Sequence, residues 1–149
     1  MYVLESAHAI YLGSCCLQRP LDDQTQPRIK VETEAVLAIL AFVQTGDLSL
    51  LNSEALEYEV SRIPDEVRRN EVMAVLALAS ERLEIHDEAE ALAESLEIRG
   101  VRSMDAVHLA LASTAKADFF VTCDDKFLPS SETLSGLTCK VVSGPCSCT

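Results

Sequence analysis

Apolar positions recur along this chain in two rhythms. Between residues 27 and 46, Val31, Ala35, Val36, Ile39, Leu40 and Val43 return at spacings of three and four. That period stacks side chains on one face of an α-helix. Pro27 stands at the start, where a missing N–H is harmless, and Gly46 just past the end, as helix punctuation favours. The second rhythm is the short unbroken run: residues 9–12 (AIYL), 48–51 (LSLL) and 118–122 (DFFVT). Such runs bounded by polar residues read as buried strands.

The remaining segments fill in between. Helices are expected at 53–62, 64–80, 87–100 and 103–116, a weaker strand at 83–85 and a last strand at 140–142. Residues 13–26 read as a turn and loop. Short strands alternating with helices predict an α/β fold with a short, mostly parallel central sheet.

Bulk properties narrow the picture. The 149 residues are 48% hydrophobic and 24% charged, a globular balance that fits one domain over 1–149. Residues 1–8 read as an N-terminal extension and 143–149 as a tail. No apolar run approaches the roughly 20 residues needed to span a bilayer. The N-terminus has no basic segment followed by a long apolar one, so the expected location is cytoplasmic.

Charge is informative about partners. With 12 Lys and Arg against 24 Asp and Glu, the formal net charge is −12. Proteins that hold nucleic acid by its phosphates usually present a basic face. Here such contact needs local basic clusters, bridging metal ions or a basic partner. The six cysteines include no CxxC pair, so zinc-ribbon spacing is absent. They are expected to serve as small buried residues in a reducing compartment.

In parallel sheets, ligands bind beyond the carboxyl ends of strands, near the point where strand order reverses. Three acidic groups fall in such places: Glu59 in the helix after the second strand, Asp105 at the start of a later helix, and Asp124-Asp125 after the strand 118–122. Each has an ordinary alternative. Asp105 follows a plausible N-cap, Ser103; Asp124 and Asp125 suit a turn; Glu59 suits a solvated helix face. Together they form an oxygen-donor set suited to Mg²⁺ or Mn²⁺. Such ions activate water and clamp a scissile phosphate.

These motifs resemble a known family. SMDAVHLALA followed by ADFFVTCDDKFL is similar to the C-terminal half of a PIN domain, LLNSEALEYEVSR to its middle acidic helix, and IYLGSCCLQRPLDDQTQPRI to its opening strand and loop. The likeness spans about residues 9–143, and the closing pair of motifs is its most specific part. Many PIN domains are VapC-type toxins of bacterial toxin–antitoxin pairs. The resemblance implies a three-layer α/β/α PIN-like fold and a Mg²⁺- or Mn²⁺-dependent ribonuclease acting on RNA. It also implies an antitoxin partner and frequent homodimers. It puts metal ligands at Glu59, Asp105 and Asp124, with Asp125 a helper and Thr122 and Ser14 supporting hydroxyls. His108, one turn after Asp105, suits packing or support of the site. Arg19, beside the first loop, is a candidate contact for RNA phosphates, as are Arg28, Arg99 and Arg102.

One position departs from the pattern. The family motif places an aspartate at the end of the first strand, and here that position is Gly13. Loss of one of about four carboxylates is expected to weaken metal affinity and misplace the attacking water. Asp22 and Asp23 lie too far along to substitute. Two functions follow: a PIN-type endoribonuclease with weakened activity, or a degenerate PIN domain that binds an antitoxin or RNA. A phosphate cradle on Gly13-Ser14 is disfavoured, because the loop lacks both extra glycines and a Gly-Lys-Ser/Thr ending.

Overall fold

The computed structural model describes residues 8–123 and 140–143. Five strands, β1 (His8–Leu12), β2 (Leu48–Ser53), β3 (Glu81–Leu83), β4 (Phe119–Thr122) and β5 (Lys140–Ser143), form one sheet in the order β3-β2-β1-β4-β5. Every described pairing is parallel. The described residues hold six helices: α1 (Ser14–Gln18), α2 (Pro27–Gln44), α3 (Glu54–Ser61), α4 (Glu66–Leu76), α5 (Asp87–Ile98) and α6 (Ser103–Thr114). The crossovers β1→β2→β3 run one way and the return to β4 the other. Right-handed connections therefore put helices on both faces of the sheet, and the architecture is the expected three-layer α/β/α.

Burial explains the unbroken apolar runs. In β1, Tyr11 and Leu12 are fully buried and Ile10 nearly so; in β2, Leu50 and Leu51 are buried too. Strands covered on both faces need apolar residues on both. The helices supply Val36, Leu56, Val60, Val72, Leu96, Leu109 and Leu111 to the same core. Gly46 and Gly100 follow α2 and α5 with φ of 87° and 101°, the left-handed conformation that closes a helix.

Several boundaries differ from expectation. The segment 14–21 holds a one-turn helix, α1, and a short 3₁₀ turn, Arg19–Leu21, where a loop is expected. One turn is too short to show periodicity. Pro64 does not start α4: Asp65 does, accepting from the N–H groups of Val67 and Arg68. The helix stops before 80 because Ser80 already donates its N–H to Leu50 O. That bond leads the chain into β3 at 81–83 rather than 83–85. Arg102, not Ser103, occupies the N-cap of α6, and no side chain caps it.

The strand order places the reversal between β1 and β4. The chain steps from β1 outward to β2 and β3, then crosses back to lay β4 on the other side of β1. Leu12 pairs with Val121, and Gly13 extends the ladder by donating its N–H to Val121 O at 2.9 Å. The ends of these two strands are where a parallel sheet opens a crevice.

Candidate metal site

A pocket of about 150 Å³ sits at this opening, lined by Gly13, Ser14, Cys15, Glu59, Asp105, His108, Phe120 and Thr122. Four segments distant in sequence thus converge: the end of β1, α3, the start of α6 and the end of β4. Of the residues singled out in the sequence, Glu59, Asp105, Ser14 and Thr122 meet here. Asp124 and Asp125 lie outside the described residues. A larger recess, about 480 Å³, is lined by residues 81–86 with Leu111, Thr114 and Ala115, none of them from the ends of β1 or β4.

Glu59 is positioned by a buried chain of hydrogen bonds. Its Oε1 lies 2.7 Å from His108 Nε2. His108 Nδ1 lies 2.6 Å from Tyr11 Oη, and Tyr11 Oη lies 2.7 Å from Ser53 Oγ. Ser53 Oγ is the N-cap of α3 and accepts the Leu56 N–H at 3.0 Å. Its proton is therefore free to point at Tyr11. Tyr11 then donates to His108 Nδ1, and His108 Nε2–H donates to Glu59. Burial pushes the Tyr11 phenol well above its usual range, which keeps it a donor. His108, itself buried, thus fixes Glu59 at the pocket wall through a partner that cannot easily turn.

Asp105 sits in the first turn of α6, where a carboxylate favours the helix dipole. Arg102 Nε donates to its Oδ2 at 3.0 Å. Its side chain remains one quarter exposed and that of Glu59 one third, so both face solvent within the pocket. Ser14 Oγ accepts from Gln18 Nε2 at 3.1 Å. Thr122 Oγ1 lies 3.7 Å from Cys15 Sγ.

Gly13 occupies a position open to a side chain. Its φ of −65° and ψ of 158° are ordinary extended backbone that any residue adopts. A Cβ there would meet only Val121 O at 3.4 Å and Cys15 Sγ at 3.7 Å, ordinary van der Waals separations. The glycine is therefore not demanded by backbone or packing. It also N-caps α1 without a side chain to do the capping.

Arg19 serves the scaffold. Its Nε donates to Glu32 Oε1 at 2.6 Å and its Nη1 to Asp22 Oδ2 at 2.9 Å. Asp22 also accepts from Arg68 Nη1 at 2.9 Å, and the buried Glu32 accepts from Arg28 Nε at 3.1 Å. Two carboxylates thus hold the Arg19 charge, and Asp22 braces the 3₁₀ segment against α4. The signal was an i,i+3 spacing from Arg19 to Asp22; Glu32 gave none, being a carboxylate inside an apolar helical pattern.

Cys15, Cys16 and Cys123 gather their sulfur atoms within 4.8 Å of one another beside the pocket. All three are free thiols. Hydrogen bonds from the Cys123 and Cys16 thiols hold Cys15 well below the usual thiol range, while Cys16 is pushed well above it.

The donor set fits a hydrated Mg²⁺ or Mn²⁺ in part. Such an ion keeps several waters and takes one or two protein carboxylates; Glu59 and Asp105 supply two. No described group of three carboxylates or imidazoles converges as the thiols do.

No protein-family model matches the chain, and no curated protein matches it by sequence. Among solved structures it is similar to a chain in the crystal structure of VapBC2 from Rickettsia felis bound to a DNA fragment from their promoter. The match covers 91% of this chain and 98% of that one, with a TM-score of 0.56 and 12% identity. No described helix is long and apolar enough to cross a membrane. The likeness is one of fold: a parallel sheet between helices, which in this chain opens its crevice where β1 meets β4.

Proposed function

We propose that this chain is a PIN-type, VapC-like endoribonuclease whose metal site lacks one carboxylate, so that it holds Mg²⁺ or Mn²⁺ weakly and cleaves RNA slowly. The observation that carries this is the convergence of Glu59 and Asp105 on one pocket at the strand-order reversal. The buried Ser53–Tyr11–His108 chain behind Glu59 adds support, since nothing in core packing requires four polar groups in series there. Glu59, Asp105 and Asp124 would hold the ion, with Asp125 assisting. When bound, the ion would lower the pKa of water and offset charge on a phosphodiester. The residues themselves orient: His108 aims Glu59, and the dipole of α6 favours the ionised Asp105. A net charge of −12 suits a basic partner, and an antitoxin is proposed to cover this cleft.

Gly13 favours a second version, a degenerate domain that binds an antitoxin or RNA without cutting. Cleavage of a mixed RNA pool with Mn²⁺ separates the two. Slow cutting by the wild type that disappears in Asp105→Asn supports the enzyme. Cutting only by Gly13→Asp supports the binding module. An RNA pool left intact by both proteins, each folded and metal-supplied, overturns the PIN nuclease assignment.

A further inference from the structure

We propose that Cys15, Cys16 and Cys123 form a three-thiolate site for a soft, thiophilic cation of the Zn²⁺, Cd²⁺ or Cu⁺ type, at the wall of the carboxylate pocket and chemically distinct from it. Two elements more than 100 residues apart deliver the sulfurs: α1 carries Cys15 and Cys16, and Cys123 follows β4. All three fall within 4.8 Å of one another, and Cys16 Sγ lies 3.2 Å from Cys123 Sγ. A cation with metal–sulfur bonds of about 2.3 Å holds three thiolates about 4.0 Å apart in a plane. Closing on an ion therefore needs sulfur shifts below about 1 Å, within reach of side-chain rotation.

The surroundings suit thiolates. The backbone N–H of Cys123 donates to Cys15 Sγ at 3.2 Å, and Thr122 Oγ1 stands 3.7 Å from the same sulfur. Arg28 Nη2 donates to the Cys123 carbonyl at 3.5 Å, which puts a cation beside the cluster. Cys16 and Cys123 are buried and Cys15 half-buried on the pocket side, which gives an ion one route in. Soft sulfur donors select Zn²⁺ or Cu⁺ over Mg²⁺ and Mn²⁺, so the two sites need not compete. Binding releases the three thiol protons and changes no oxidation state. The bound ion would tie α1 to the end of β4, the two segments that carry Gly13 and Thr122.

The test uses the full chain with Cys139, Cys146 and Cys148 replaced by serine, so that other thiols cannot contribute. The protein is kept reduced with a phosphine, which prevents disulfide formation. Titration with Cd²⁺ should give a thiolate charge-transfer band that saturates at one equivalent, protect three thiols from alkylation and raise the melting temperature. Cys15→Ser, at the half-exposed position, should weaken binding by about tenfold or more while circular dichroism stays unchanged. Cys16→Ser should abolish the band. A folded, reduced protein that shows no band, or a band that survives Cys15→Ser and Cys16→Ser, overturns the site. Mn²⁺ binding and RNA cleavage are separate readouts, so failure here leaves the nuclease proposal standing.

Discussion

Replacing Gly13 by aspartate perturbs the pocket at the position where the sequence lacks a ligand. Steric cost should be negligible, because the added Cβ meets its neighbours at 3.4 and 3.7 Å and φ is −65°. As N-cap of α1, aspartate in place of glycine gains a few tenths of a kcal/mol. Against that stands repulsion from Glu59 and Asp105, which line the same pocket. For two unit charges, a separation of about 7 Å at an effective dielectric near 20 costs about 2 kcal/mol before salt screening. The metal-free variant should therefore be less stable than the parent by about 1–3 kcal/mol, or about 2–10 °C for a chain of this size. Saturating Mn²⁺ should reverse the loss, since ligand at 100 times its dissociation constant adds about 2.7 kcal/mol. The parent should shift far less in the same titration. Differential scanning fluorimetry of both proteins with EDTA, then with rising Mn²⁺, reads this directly. If the variant melts at the same temperature with and without Mn²⁺, Gly13 does not stand in a ligand position.

Other perturbations probe the scaffold. Glu32→Ala leaves the partly buried Arg19 without its main partner and should cost about 3–5 kcal/mol in urea unfolding; a loss under 1 kcal/mol would contradict a structural role for this network. Tyr11→Phe removes the bonds to Ser53 and His108 and should cost about 1–3 kcal/mol, and any cleavage should fall with it because His108, which holds Glu59, loses its own anchor. Glu57 lies below its ordinary value of 4.5 because Arg82 hydrogen-bonds to it, with desolvation opposing. A depressed folded pKa contributes stability above the unfolded value and loses it as pH falls through the folded one. The melting difference between wild type and Glu57→Gln should thus be small at pH 7, as for a largely solvent-screened pair, and shrink as pH falls from 4.5 through the lower folded value; a difference that grows on acidification would reverse the assigned sign.

Much of the scaffold was readable because periodicity reports burial. The runs at 9–12, 48–51 and 118–122 became β1, β2 and β4, and helix signals such as Pro27 and Gly46 fell where α2 begins and just beyond where it ends. What the pattern could not carry was short or non-local. The one-turn α1 has no repeat to detect, and β3 took its register from Leu50 and β2 rather than from its own hydrophobicity. In the site, Glu59 and Asp105 were legible as carboxylates near strand ends. The chain behind them was not: Tyr11 reads as one more large residue in a buried strand, and Ser53 as a helix cap. Only the fold, which sets positions 11, 53 and 108 side by side, turns three ordinary residues into one hydrogen-bonded line. Cys15, Cys16 and Cys123 were equally silent, since their spacing in sequence says nothing of the 4.8 Å that separates their sulfurs at most.

The central proposal is that this pocket holds the ion of a weakened nuclease. A crystal of the wild-type protein soaked in Mn²⁺, with anomalous diffraction collected near the manganese edge, tests it most directly. An anomalous peak bordered by the carboxylates of Glu59, Asp105 and Asp124, stronger in Gly13→Asp than in the parent, is the expected result. Manganese absent from that pocket in both proteins, or bound only elsewhere on the acidic surface, would contradict it.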